Sequence, residues 1–350
     1  MSLDLLNHLQ IIRLRANMEQ HEAFRNAVVH RPFYFLLRIL LSPLILFLRP
    51  IRHYIRGRKL APYVLSNHPI EARFNHKNFE FEIDLNARNS IEFKIKNSEA
   101  TGPIIDQPSY NKNLSIPSNN RKLIIIHAYY ELEARVIFDY LKSFSDYDIV
   151  LTTSNTLIRA EFLKRFDPTQ AACMFVPNIG RDVFPFLVLL NTLDIDKYTH
   201  FIKVHGKRSG HLSNGGNWFQ INIETLIGNK ISTDRIFDHI PQDLCAIYGV
   251  ECLPLQDHLE NNRHWLEYLL KKPVSDTHGL FIPGTMFAGS IQFLRDVAKK
   301  NFHLYKMEEE NGQLDGCLPH ALERYFGYIT IENGGECRTL EDLALNSFPK

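Results

Sequence analysis

The chain has 350 residues, 45% hydrophobic and 23% charged, enough for a full hydrophobic core and typical of a globular rather than a disordered or fibrous protein. Lys and Arg total 40 against 39 Asp and Glu, a net charge of +1, so nothing global favours nucleic acid. Five cysteines (Cys173, Cys245, Cys252, Cys317, Cys337) with no C-x-x-C pair outline neither a disulfide framework nor a zinc site, and suit a reducing compartment.

Residues 1–60 carry a strong local bias. The residues before His30 are too polar and acidic for a secretory leader. Phe33 to Leu48 is a 16-residue apolar run, broken only by Arg38, Ser42 and Pro43. A bilayer-crossing helix needs about 20 residues. From Arg31 to Lys59 there are seven basic residues and no acidic one. Such a segment is expected to be helical and to lie in the anionic inner-leaflet interface, peripheral on the cytoplasmic face of the membrane; a core helix with a solvated basic tail is the plain alternative. In 61–120, Phe79 to Leu85 and Ile91 to Ile95 alternate apolar and polar residues around Asn86–Ser90, predicting a β-hairpin. Ser98 to Asn120, rich in Ser, Asn and Pro, reads as a linker.

From 121 to 350 the chain alternates strand and helix. Leu123–Ala128, Tyr147–Leu151, Ala171–Val176 and Phe201–Val204 read as buried parallel strands. Between them, Leu132, Val136, Ile137, Tyr140 and Leu141 mark one helix face, and Leu157, Ile158, Phe162 and Phe166 a second. Val183 to Leu190 is an apolar third helix. The fold class is therefore α/β, a mostly parallel sheet flanked by helices with right-handed crossovers. Neither the G-x-G-x-x-G fingerprint nor a Walker loop is present.

Ligands of open α/β sheets bind beyond the carboxyl ends of the strands. Two successive strand ends here are polar: Asn178, Gly180, Arg181 and Asp182 after one, His205, Lys207 and Arg208 after the next. Gly180 permits a tight turn. Asp182 suits either the N-cap of the third helix or the site itself. Arg181 opposes the helix dipole, which favours an anionic partner such as a diphosphate. His127, Tyr129 and Thr153 follow the first two strands; Tyr129 can stack on a base or close the sheet. Lys203 sits within its strand and leads toward the loop.

Asn178-Ile-Gly-Arg-Asp182 with Pro185-Phe186, followed by Lys203-Val-His-Gly-Lys-Arg-Ser209, resembles the core signature of the rhamnan synthesis protein F family. Trp218 with a helix ending at Gly228, Gly284-Thr-Met-Phe-Ala-Gly289, and Asp315-Gly with His320-Ala-Leu-Glu-Arg324 extend the resemblance in order over 121 to 330. The N-terminal segment lies outside that signature. The resemblance implies a GT-A-like glycosyltransferase of O-antigen or rhamnan type, moving a sugar, most plausibly L-rhamnose from dTDP-L-rhamnose, onto a lipid-linked glycan with inversion. A sugar transferase must neutralise a departing diphosphate. The spelling Asp194-x-Asp196 that could hold Mn²⁺ or Mg²⁺ precedes a strand and so lies at the wrong edge, while His205, Lys207 and Arg208 occupy the expected place. Metal-independent transfer is the expectation, with a divalent cation kept as an alternative.

The base must be a carboxylate or His near the acceptor. Glu323 and Asp315 are the candidates, with His320 as a supporting donor; Asp315 also suits a helix cap. Glu323 and Arg324, adjacent on a helix, cannot face each other and need other partners. Trp218 and Met286 read as acceptor contacts or as packing. The rival from another class is an idle GT-A-like domain that binds glycan or scaffolds polysaccharide assembly.

Overall fold

A computed structural model of the chain describes the strands 77–83 and 90–97 and residues 114, 116–176, 178, 180–206, 215–274, 278–300 and 315–346. The basic apolar segment within 1–60 and the linker up to 113 lie outside the described residues.

The four sequence-predicted parallel strands form: β3 (Lys122–Ala128), β4 (Asp148–Thr153), β5 (Ala171–Phe175) and β6 (His200–Gly206). Between them run α1 (Glu131–Tyr140), α2 (Thr156–Arg165) and α3 (Val183–Thr192). The predicted hairpin also forms, as β1 (Lys77–Ile83) and β2 (Ser90–Asn97) in register Phe81 opposite Phe93. Strand β2 pairs in parallel with β5, so the hairpin extends the edge of the main sheet.

After β6 come α4 (Gly215–Ile227), α5 (Lys230–His239), β7 (Ala246–Gly249) and β8 (Leu253–Pro254). Then follow α6 (Arg263–Leu270), β9 (Leu280–Phe281), β10 (Phe287–Ser290) and α7 (Ile291–Lys299). The described chain closes with α8 (Leu318–Glu332), β11 (Glu336–Thr339) and α9 (Leu340–Asn346). The sheet order is β1-β2-β5-β4-β3-β6-β10-β7-β11, with β8 and β9 as a separate antiparallel pair. Seven of the nine strands, β5 through β11 in that order, make the body of the sheet. Only β10 among these seven runs against its neighbours.

The parallel half winds outward from β3 through β4 to β5, then returns to place β6 on the other side of β3. That reversal makes a crevice at the carboxyl ends of β3 and β6, where doubly wound sheets bind ligands. His127 and His205 are register partners across it.

Side-chain alternation decides which residues reach the crevice. Ile124, Ile126, Ile202 and Val204 pack into the core cluster formed with α1, α2, α4 and α5. The alternate residues of β6, namely Phe201, Lys203 and His205, face the opposite layer. There Phe201, Phe287, Phe293, Phe186 and Phe326 meet edge to face or stacked.

Two details differ from the sequence pattern. Leu132 is 61% exposed and Leu157 is 63% exposed. Both occupy the first turn of their helices, beyond the end of the preceding strand, where no sheet covers them. The buried face of α1 is instead Ala134, Ile137 and Phe138, with Glu133, and that of α2 is Ile158 and Phe162. Among the described residues, no helix is long and apolar enough to cross a membrane.

Candidate functional site

The centre of the site is Lys203, a lysine in the middle of a fully buried strand and itself 1% exposed. A buried ammonium persists only when paired and hydrogen-bonded. Its three donors are all used: Asp182 Oδ2 at 2.5 Å, the Thr285 carbonyl at 3.0 Å and Thr285 Oγ1 at 2.9 Å. The rings of Phe186 and Phe287 lie 5.3 and 5.9 Å away and add cation–π contact.

Asp182 is the N-cap residue of α3 by position, yet its side chain makes no capping bond. The carboxylate turns inward to Lys203 and accepts the Thr285 hydroxyl as well. Of the two roles that its sequence position allows, the side chain does not take that of the cap. Burial pushes its pKa up, but the Lys203 charge, His205 and the hydrogen bonds from Lys203 and Thr285 outweigh this and hold the carboxyl well below its usual range.

Two turns meet over this pair, each with successive residues in the left-handed region. Gly180 and Arg181 both have φ of 59°; Gly284 has 77° and Thr285 has 55°. A β-branched residue there is a true outlier, sustained at about 1–3 kcal/mol only when its surroundings over-determine it. Those surroundings are visible. The Gly284 N–H donates to Glu323 Oε1, and the Gly284 carbonyl accepts from His205 Nε2, which fixes that ring proton. The Thr285 carbonyl and hydroxyl are held by Lys203 and Asp182. Gly284 is required twice over, because a Cβ there would lie 2.2 Å from Cη2 of Trp218.

Beside the two turns lies a cavity of about 70 Å³, walled by Arg181, Asp182, His205, Trp218, His320 and Glu323 together with Gly284 and Thr285. That is room for a handful of waters at roughly 10–15 Å³ each. It fits one small polar group of a larger ligand, not a whole nucleotide sugar. The Trp218 and His205 rings are 6.4 Å apart. On α8, His320 is the N3 residue of a capping box, its Nδ1 accepting from the Cys317 N–H. Glu323 and Arg324 approach to only 3.8 Å. As adjacent helix positions require, their main hydrogen bonds go elsewhere: Glu323 to Gly284, Arg324 to the carbonyls of His258 and His320.

The other sequence candidates fall at varied distances from this centre. Asn178 is exposed on the turn after β5, and Lys207 and Arg208 lie outside the described residues. His127 is half-buried and its Nδ1 lies 3.0 Å from Thr152 Oγ1. Burial, with the neighbouring His205 and Lys203 and against the pull of Asp182, lowers its pKa to about 3, so the ring is neutral. Tyr129 is 40% exposed and packs edge to face on Tyr130. Thr153 is buried and donates to the Ala128 carbonyl, a cross-strand tie. Met286 is fully buried in the core cluster.

Asp315 does not line the cavity. It accepts from Asn262 Nδ2 at 2.6 Å and lies 3.8 Å from Arg324, and the N-cap of α8 is Cys317, so Asp315 is not the helix cap. Asp196 pairs with Arg295 at 3.1 Å, and Asp194 accepts from the Asp196 N–H at 3.4 Å, in the turn entering β6 at the opposite edge of the sheet. Among the described residues no three His, Cys, Asp or Glu side chains gather as a metal site.

Comparison with known proteins gives a consistent affiliation. A family model described as rhamnan synthesis protein F matches residues 27–248. The match begins well before the span 121 to 330 that carries the resemblance in sequence, so most of the N-terminal segment belongs inside the family's extent rather than outside it. It ends before the Gly284 and Asp315 motifs. Two proteins of Xanthomonas campestris pv. campestris, each described as uncharacterized protein WxcX, are similar. The one from strain B100 is 28% identical over 232 residues, 62% of this chain and 32% of the relative. The one from strain ATCC 33913 is 29% identical over 226 residues, with the same coverage of 62% and 32%. The chain thus spans about a third of the length of these relatives. No solved structure matches. With the family model covering more than half of its residues, the chain belongs to the rhamnan synthesis protein F family.

Proposed function

We propose that the chain is a GT-A-like glycosyltransferase of polysaccharide synthesis, drawing a sugar from a nucleoside diphosphate donor. The observation that carries this reading is the convergence of Arg181, His205, Trp218, His320 and Glu323, from four separate segments, on one small cavity at the carboxyl end of the sheet. The family's link to rhamnan synthesis supports the same direction.

In this reading the nucleotide lies across the β3 and β6 strand ends, toward His127 and Tyr129, and its diphosphate faces Arg181, with Lys207 and Arg208, next in sequence after β6, proposed as further cations. Fixed cations aimed at developing charge are the strongest contribution such a site makes. The acceptor hydroxyl attacks the anomeric carbon, the bond to the diphosphate breaks, and the hydroxyl proton passes to Glu323 with inversion of configuration. Glu323 is preferred to Asp315 because it lines the cavity while one of its oxygens is positioned by the Gly284 N–H. Lys203 already neutralises the Asp182 carboxylate through Oδ2, and transfer without a metal is the reading adopted. The donor dTDP-L-rhamnose, the lipid-linked acceptor and the peripheral position on the cytoplasmic membrane face rest on the family and on the basic apolar sequence between Arg31 and Lys59.

Thermal-shift titration with dTDP, UDP, GDP and CMP sugars, with and without Mn²⁺ or a chelator, tests the reading. A ligand at 100 times its Kd stabilises by about 2.7 kcal/mol, a readable rise in Tm. A response to one nucleotide that survives chelation and is lost in Arg181→Ala is expected. Silence toward every nucleotide points instead to a glycan-binding or scaffold role, and loss of the response on chelation, restored by Mn²⁺, removes the metal-free mechanism.

A further inference from the structure

We infer that Lys203 is a positioning residue that locks the two halves of the site to each other, so that the turn at Gly180–Asp182 and the turn at Gly284–Thr285 hold their shapes only as a pair. The inference deepens the proposed function and relies on it for what the two turns hold.

One turn leads from β5 into α3 and carries Arg181; the other precedes β10 and carries the backbone against which Trp218, His205 and Glu323 rest. They are separated by 103 residues in sequence. Neither turn is made by local preference, since each forces a residue with a side chain, Arg181 or Thr285, into the left-handed region. What keeps them there converges on a single ammonium. Lys203 donates to the carboxylate of the first turn and to both oxygens of Thr285 in the second. The Thr285 hydroxyl closes the triangle on Asp182. With its three N–H donors all used and an aromatic ring from α3 and from β10 beside it, the ammonium has one place to sit. Moving either turn therefore leaves a buried charge without its partner, and the other turn must follow.

The functional consequence is geometric. Arg181 projects from a backbone that Lys203 fixes through Asp182, while Glu323 and His205 are anchored on a backbone that Lys203 fixes through Thr285. The spacing between the cation proposed for the diphosphate and the carboxylate proposed as base is thus set by a group that touches neither ligand. Distances between reacting groups of this kind decide rate steeply.

Trp218 reports on the second turn without any ligand, because its ring fills the space over Gly284. Trp265, the other tryptophan, lies on α6 against Tyr268, so a Trp265→Phe background isolates the signal. In that background, Lys203→Met that retains native far-UV circular dichroism is expected to raise acrylamide quenching of Trp218 at least two-fold and to weaken nucleotide binding at least ten-fold. Thr285→Val, which keeps the shape and removes the hydroxyl, is expected to do the same more weakly, and Thr285→Ser to restore wild-type quenching; this pair decides the matter if Lys203→Met does not fold. Unchanged Trp218 quenching in Lys203→Met, or in Thr285→Val, overturns the lock. Altered quenching in a protein whose parent binds no nucleotide leaves the lock standing and removes the transferase reading.

Discussion

Lys203 and Asp182 place an ammonium 2.5 Å from a carboxylate oxygen, with both residues less than a tenth exposed. Removing one member of a buried pair strands the other charge in a poor solvent, an effect of about 3–5 kcal/mol. Lys203→Met and Asp182→Asn should each lower the unfolding free energy by about that amount in urea titrations, and the double variant by clearly less than the sum. A loss below 1 kcal/mol in both single variants is the result incompatible with this pairing.

Gly284→Ala meets two obstacles, the φ of 77° and the Trp218 ring 2.2 Å from the new Cβ. The left-handed strain alone is worth about 1 kcal/mol or more. A Trp218→Leu background should remove the contact but not the strain. Chemical denaturation of the four-member cycle should therefore show the penalty shrinking, without vanishing, when Trp218 is absent.

His127 gives the protein a pH dependence of known sign. Its pKa falls from 6.5 to about 3 on folding, so between those values the unfolded chain binds a proton that the folded chain refuses. Stability is thus full above pH 6.5 and declines as pH falls, by up to about 1.4 kcal/mol per unit from this one group. Asp182, held below its usual range, adds to the loss only below about pH 4. His127→Gln should flatten the slope between pH 6.5 and 4.5 in urea midpoints; an unaltered slope contradicts the assignment.

Asp196 and Arg295 form an exposed pair, 56% and 37% accessible, at the edge of the sheet away from the cavity. Such pairs contribute about 0–1 kcal/mol. Asp194→Ala with Asp196→Ala should change Tm little and leave nucleotide response intact, measured beside Arg181→Ala. A double variant that abolishes binding while folding normally would restore the Asp-x-Asp motif to the site.

The alternation of strand and helix from β3 to β6 is legible in the sequence because buried parallel strands are continuous apolar runs and the helices between them repeat at 3.6 residues. The same reasoning names the two polar strand ends, and Arg181, Asp182 and His205 do meet there. It mistakes Leu132 and Leu157 for buried positions, since periodicity carries no information about where the sheet beneath a helix stops.

Lys203 is the instructive residue. From the sequence it reads only as leading toward the loop, whereas it is buried and paired. Its place between Ile202 and Val204 in an apolar strand is the signal of a buried charge that could have found it. Which carboxylate answers it, and that Thr285 shares it, is not readable there, because the partners lie 21 and 82 positions away. The sequence by itself determined the α/β class and the sheet edge at which the polar residues gather, both products of local pattern. Only the tertiary structure decided that Glu323, rather than Asp315, reaches the cavity, because α8 packs against the turn at Pro283–Thr285 and the Gly284 N–H donates to the Glu323 carboxylate there.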